Sequence, residues 1–214
     1  MHHGVLFEAC VDGAESARRA IDAGAGRLEL CDLSIDGGVT PNPGVIEVVR
    51  RFCTIPLHVL IRPRGGDFRY TAPELTVMLQ DIAAMKRLGV NGVAVGALTQ
   101  ARRIARRNTR LLIDAARPMA VTFHRAFAAT PDPRAALETL IGLGVERVLT
   151  SGGAPDAESG IPVLRELVRW AGNRIVVMAG GGIRNHNVGR IIQETGVVEV
   201  HAREIIHLPI ASSQ

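Results

Sequence analysis

Along this chain, short apolar runs alternate with longer stretches whose apolar residues recur at helical spacing. The clearest run is Leu57-His58-Val59-Leu60-Ile61, bounded by Pro56 and Pro63. It lacks the polar alternation of a half-exposed strand, so it reads as a strand buried on both faces. The same pattern predicts strands at Leu6–Cys10, Arg27–Cys31, Asn91–Gly96, Ala120–Arg125, Arg147–Thr150, Ile175–Ala179 and Val198–His201. Helices are predicted between them: Gly13 to Ala23, Pro43 to Phe52, Pro73 to Leu88, Glu158 to Trp170 and Asn187 to Glu194. Asp132-Pro133 opens another, with an N-cap residue and proline at the first helical position. Arg102, Arg103, Arg106, Arg107 and Arg110 fit one amphipathic helix after the fourth strand.

A faint repeat supports this alternation. Gly24-Ala25, Gly89-Val90, Gly144-Val145 and Gly196-Val197 each precede an even-numbered strand. A glycine ending a helix is a common stop signal, and its recurrence points to repeated βα units. Short strands, helices between them and no edge signals predict an α/β fold, a single-domain (β/α)8 TIM-type barrel. The alternative is an open doubly wound sheet. No linker divides residues 1–214; the core is expected over about 5–202, with 203–214 a short tail.

Composition narrows the function classes. A chain of 214 residues, 47% hydrophobic, is long enough for one large core. No apolar stretch approaches the roughly 20 residues that cross a bilayer, so no membrane partner is expected. The first strand begins at Val5 or Leu6, which leaves no room for a signal peptide, and His2 and His3 receive no role. Three cysteines make no disulfide framework, and the compartment expected is the cytoplasm. The net charge is +4, and Lys86 is the only lysine, so the positive charge is nearly all arginine. One Trp and one Tyr leave none of the aromatic interleaving of single-strand binders, so a nucleic-acid partner is not expected. Lys86 sits mid-helix, which argues against imine chemistry.

In such a barrel, chemistry gathers where strands end. Glu8 and Cys10, Glu29 and Cys31, His58 and Arg62, Thr122 and His124, Thr150 and Ser151, and His201 stand there. Residues two apart on a strand share a face, and acids, histidines and thiols inside a barrel are costly unless paired or used. Ile61-Arg62-Pro63-Arg64-Gly65-Gly66-Asp67-Phe68 leaves the third strand with two guanidiniums, a carboxylate and two glycines. Arg62 and Arg64 together are suited to gripping an anion, and Asp67 to fixing an arginine or receiving a proton. Glu8, Glu29, His58, Arg62, Asp67, His124, Arg125 and His201 form the candidate catalytic set, with His124 or Glu29 as acid–base group. Two later loops, Thr150-Ser151-Gly152-Gly153 and Gly180-Gly181-Gly182, offer backbone amides as a cradle for a small anionic ligand. Arg62 or Arg125 is expected on the anion's far side.

The motifs Glu8-Ala9-Cys10-Val11-Asp12, Arg27-Leu28-Glu29-Leu30-Cys31, Gly37-Gly38-Val39-Thr40-Pro41, the Arg62 octapeptide, Thr122-Phe123-His124-Arg125-Ala126 and Leu149-Thr150-Ser151-Gly152-Gly153 stand in this order. Together, from about Val5 to Ala202, they resemble the CutC copper-homeostasis protein family. The resemblance implies a single TIM-type barrel, a cytoplasmic protein, self-association into a homo-oligomer and copper handling; it transfers no reaction or substrate. Relatives usually carry acidic residues after Gly96-Ala97-Leu98-Thr99, where this chain has Gln100-Ala101-Arg102-Arg103. Arg203 stands where a small residue is more typical, and the tail Ile205–Gln214 is not expected to form the closing helix usual in relatives. Cys10 and Cys31 occupy matching places in consecutive βα units, each two residues after a glutamate. As a soft pair they suit copper as Cu(I), and nearby arginines favour their thiolates. Buried cysteine also serves as an apolar filler, no Cys-x-x-Cys is present, and Cys53 lies elsewhere. A barrel enzyme acting on a small phosphate- or carboxylate-bearing substrate is the alternative.

Overall fold

A computed structural model describes residues 4–35, 37–203 and 205–206. Eight parallel strands close on themselves in sequence order, β1 pairing with both β2 and β8. The strands are β1 (Leu6–Val11), β2 (Arg27–Leu30), β3 (Leu57–Leu60), β4 (Gly92–Val95), β5 (Ala120–Phe123), β6 (Arg147–Thr150), β7 (Val176–Gly180) and β8 (Glu199–Ala202). The helices between them are α1 (Ala14–Asp22), α2 (Pro43–Phe52), α3 (Ala72–Arg87), α4 (Arg106–Ala116), α5 (Pro133–Leu143), α6 (Ile161–Ala171) and α7 (Val188–Thr195). The barrel expected from the sequence is the one observed.

Local chemistry starts and stops these helices. At α3, Thr71 accepts from the Glu74 amide while Glu74 accepts from the Thr71 amide, closing a capping box. Asp132 accepts from Ala135 N at 3.0 Å ahead of Pro133. Gly144 and Gly196 take left-handed conformations at the ends of α5 and α7, as the repeat suggested. Met78, Ile82 and Met85 on α3, and Leu112, Ile113 and Ala116 on α4, turn inward. They meet the outward faces of the strands, where Leu28, Leu30, Val59, Val93, Val121 and Phe123 are fully buried.

The barrel's inner face differs. Barrel interiors are ordinarily filled by branched aliphatic layers, but here the lower layer is ionic. Arg27 on β2 donates to Glu8 on β1 and to Glu199 on β8, and Arg147 on β6 donates to Glu199 at 2.9 Å. Glu8, Arg27 and Glu199 are 1%, 3% and 8% exposed. Such burial is tolerable because each charge meets an opposite one.

Two expectations are corrected. The five arginines do not share one helix: α4 begins at Arg106, and Arg102 and Arg103 lie in a turn. There Leu98 bridges Ile104, and Thr99 Oγ1 accepts from Arg103 N. Arg64 does not join Arg62, because Glu74 and Asp67 carboxylates stand nearer and take its guanidinium at 2.5 and 3.1 Å. The tail expectation beyond Ile206 lies outside the described residues, as does Asp36. Among the described residues no helix is long and apolar enough to cross a membrane.

Candidate functional site

At the carboxyl ends of the strands the barrel opens into a cavity of about 580 Å³. Of the residues singled out from the sequence, Cys10, Glu29, Cys31, Arg62, His124, Arg125, Thr150, Ser151, Gly153, Gly180, Gly181, Gly182 and His201 line it. Glu8 and His58 do not: both are buried in the interior, where Glu8 belongs to the ionic layer. Asp67 is exposed outside the cavity and pairs with Arg69 and Arg64. The Gly152 amide turns to Thr150 Oγ1 at 3.0 Å, so this donor of the expected cradle is satisfied internally. Arg184 and Arg203 line the mouth as well, and sequence reasoning did not assign them to it.

The register explains the cavity floor. Cys10 stands opposite Glu29 across β1 and β2, and Cys31 follows two residues later on the same face. The two sulfurs are 3.2 Å apart, and a Glu29 oxygen lies within 4.8 Å of both. Burial leaves these groups sharing few protons. The hydrogen bond with Cys31 holds the Cys10 thiol well below its ordinary range against the effect of burial, with help from His201. The same bond, together with burial, pushes Cys31 up. Of the two, Cys10 is thus the sulfur more readily ionised and Cys31 the one that keeps its proton more tightly.

His201 links this floor to the ionic layer beneath. Its Nδ1 is 2.8 Å from Glu8 and its Nε2 3.6 Å from Glu29. Burial alone would lower its pKa, but Glu29, Cys10 and Glu8 raise it well above normal. Burial likewise opposes ionisation of Glu8, yet His201 and Arg27 hold that carboxyl well below its usual range. Burial dominates at Glu29, whose pKa is pushed up to about 8. A Glu8–His201 pair thus lies next to Glu29, whose ionisation burial opposes.

The cavity wall is built from loops. Arg62 donates to the carbonyls of Gly38 and Gly66 at 2.9 and 2.8 Å, bracing two loops, and lies over Phe68. Gly37 has φ +79°, and a Cβ there would fall 2.5 Å from Arg125 and 2.8 Å from Arg62. The positive φ favours glycine here, and its bare Cα lets both guanidiniums pack close. After β5 the chain enters a single-turn 3-10 helix, Arg125–Ala129, with His124 Nδ1 accepting from Ala126 N at 3.2 Å. Burial and the charge of Arg62 push this imidazole down to about 3.

A model of the CutC family matches residues 5–206. The chain belongs to the CutC family. It is 49% identical over 199 residues to the copper homeostasis protein cutC homolog of Mus musculus, covering 93% of this chain and 73% of that one. The homolog of Homo sapiens is 48% identical over the same length and shares. The crystal structure of CutC from Streptococcus agalactiae superposes with a TM-score of 0.89 at 34% identity, covering 94% of this chain and 99% of that one. More distant barrels, such as an aldolase at 14% identity and a TM-score of 0.70 that covers 94% of this chain and 90% of its own, share the fold alone. In this copper-homeostasis family, the motif residues fall mainly on the cavity floor and wall just described.

Proposed function

We propose that this CutC family member takes part in copper homeostasis in the cytoplasm, binding Cu(I) through the thiols of Cys10 and Cys31. One observation carries the metal assignment. Two sulfurs from adjacent strands stand 3.2 Å apart on the floor of an accessible cavity, with a carboxyl group beside them. Soft thiolate donors favour Cu(I) over hard cations, and the surroundings of Cys10 lower its pKa, which eases ionisation. Cys53 serves as the internal control: its thiol donates to Ile55 O on the other side of the strand layer. Anaerobic Cu(I) titration against a competing chelator tests the assignment. The Cys53→Ser protein should take up copper as the wild type does, and the Cys10→Ser, Cys31→Ser double variant should not. Equal uptake by all three removes the pair as the site. Self-association, which the family implies, belongs to the same proposal and is read by light scattering.

A second reading, a barrel enzyme acting on a small anionic substrate, is favoured by one feature: Glu29, with its pKa near 8, faces a cavity rimmed by arginines. Its test is turnover that Glu29→Gln abolishes while copper uptake persists.

A further inference from the structure

The His124 ring has an unmet donor. Its Nδ1 accepts from the Ala126 amide, which places the neutral ring's proton on Nε2. That Nε2 is buried, in a residue 2% exposed, and has no hydrogen-bond partner among the described residues. Leaving a buried donor unsatisfied costs roughly 1–3 kcal/mol, so a partner is expected. His124 lines the cavity. Gly96 crowds the Nδ1–Cε1 edge of the ring: a Cβ there would fall 2.4 Å from Cε1 and 2.6 Å from Nδ1. The ring is therefore held in place, with its donor unmatched.

Arginines line the same cavity. Among the described residues, Arg125 and Arg203 make no side-chain ion pair or hydrogen bond. By contrast, Arg51, Arg117, Arg169 and Arg174 on the outside all meet carboxylates. Between the two rim arginines lie the loops after β6 and β7. They touch one another, since a Cβ on Gly181 would fall 3.3 Å from the Ser151 Cβ. The amides of Gly153 and Gly182 have no backbone partner among the described residues. Loop amides from two strands and guanidiniums from two others offer donors from several directions. A tetrahedral oxyanion can use them all, whereas a planar carboxylate is matched by one guanidinium fork.

We infer that the cavity mouth binds a small organic phosphate, its phosphoryl group held by the β6 and β7 loops and Arg125, and a neutral oxygen accepting from His124 Nε2. The cavity volume suits such a ligand. The thiol pair lies on the floor of the same cavity but is not among these contacts, so binding should not require copper.

The test uses glycerol 3-phosphate, inorganic phosphate and glycerol as probes on the full chain, followed by amide and histidine-ring NMR and by calorimetry. Both phosphates should shift the Gly153 and Gly182 amides, and glycerol should not. Only glycerol 3-phosphate should also shift the His124 ring, whose spectrum should show the proton on Nε2. Arg125→Ala and His124→Leu should each weaken glycerol 3-phosphate about tenfold. His124→Gln, which can present an N–H in a similar place, should recover most of that loss. Affinity should be unchanged in the Cys10→Ser, Cys31→Ser protein, and Cu(I) uptake unchanged in His124→Leu. The inference is overturned if the loop amides ignore both phosphates, if the His124 ring ignores glycerol 3-phosphate, or if Arg125→Ala leaves affinity intact. Loss of binding in the double cysteine variant would overturn it too, by merging the two sites.

Discussion

Replacing Arg27 by methionine removes one charge from the middle of the barrel and leaves its shape nearly filled. In the wild type this guanidinium donates to Glu8 and Glu199 and touches Met178 Sδ at 3.3 Å. Without it two buried carboxylates lose their shared partner, although Glu8 keeps His201 and Glu199 keeps Arg147. Breaking a buried pair from one side costs about 3–5 kcal/mol. For a chain of this size, that corresponds to a fall in Tm of roughly 6–20 °C. Urea unfolding at pH 7 measures the loss. Adding Glu199→Gln to Arg27→Met should deepen the loss, because the second change leaves Arg147 largely buried without its carboxylate.

The pH dependence gives an independent reading. Glu8 and Glu199 are both held below their ordinary pKa in the fold. Their stabilisation is present above the unfolded carboxylate value of 4.5 and is lost as pH falls below it. Without Arg27 these carboxyls are less depressed, so less is lost on acidification. The gap between wild type and variant should therefore be widest at neutral pH and should narrow below about pH 4.5. A loss under about 1 kcal/mol at pH 7, or a gap independent of pH, would refute the ionic layer as a source of stability.

Three further outcomes are expected. His58 and His124 are pushed down to about 4 and about 3 from 6.5, so both stay neutral in the fold while the unfolded chain takes up protons. Each should lower stability by up to about 1.4 kcal/mol per pH unit as pH drops from 6.5 towards 4, offset in part by Glu29, whose raised pKa acts the other way above 4.5, and urea midpoints in His58→Gln should fall less steeply than in the wild type. Gly92→Ala would place a Cβ 2.5 Å from His58 Nε2 and should cost about 1–3 kcal/mol by overpacking, measured by the same unfolding series. Cu(I) uptake near pH 7 should release fewer than two protons per ion, since the Cys10 pKa is lowered while that of Cys31 is raised, as read by a pH indicator during titration.

Much of this fold is legible in the sequence because every strand is buried on its outer face by helices and on its inner face by the barrel itself. Val59, Val93, Val121 and Phe123 make the apolar runs, and the recurrent glycines mark the helix ends. Same-face spacing also places Cys10 above Glu8 and Cys31 above Glu29. Depth along the barrel is not legible, because it depends on the stagger between strands. Glu8 and Cys10 share a face, yet one lies in the ionic layer and the other on the cavity floor. Arg64 was assigned to an anion because its carboxylate partner Glu74 is ten residues away, beyond the motif. The partners of Arg27 lie 19 and 172 residues from it in the chain, so no local pattern announces them.

That buried layer bears on the thiol pair directly. Glu8 accepts from Arg27 below and from His201 above. His201 is thereby kept charged next to Cys10, where it favours the thiolate. A polar barrel interior, costly as packing, thus fixes the protonation of the floor without supplying a ligand. Removing the lower charge should consequently be felt at the thiols: Arg27→Met leaves Glu8 with only His201 to balance it, so His201 should be held more tightly as a cation. The Cys10 thiolate should persist, and alkylation of Cys10 by iodoacetamide should keep its rate below pH 7, despite the lost stability. A rate that instead falls with the loss of Arg27 would show that the layer acts on the thiols by holding the strands in register rather than through His201.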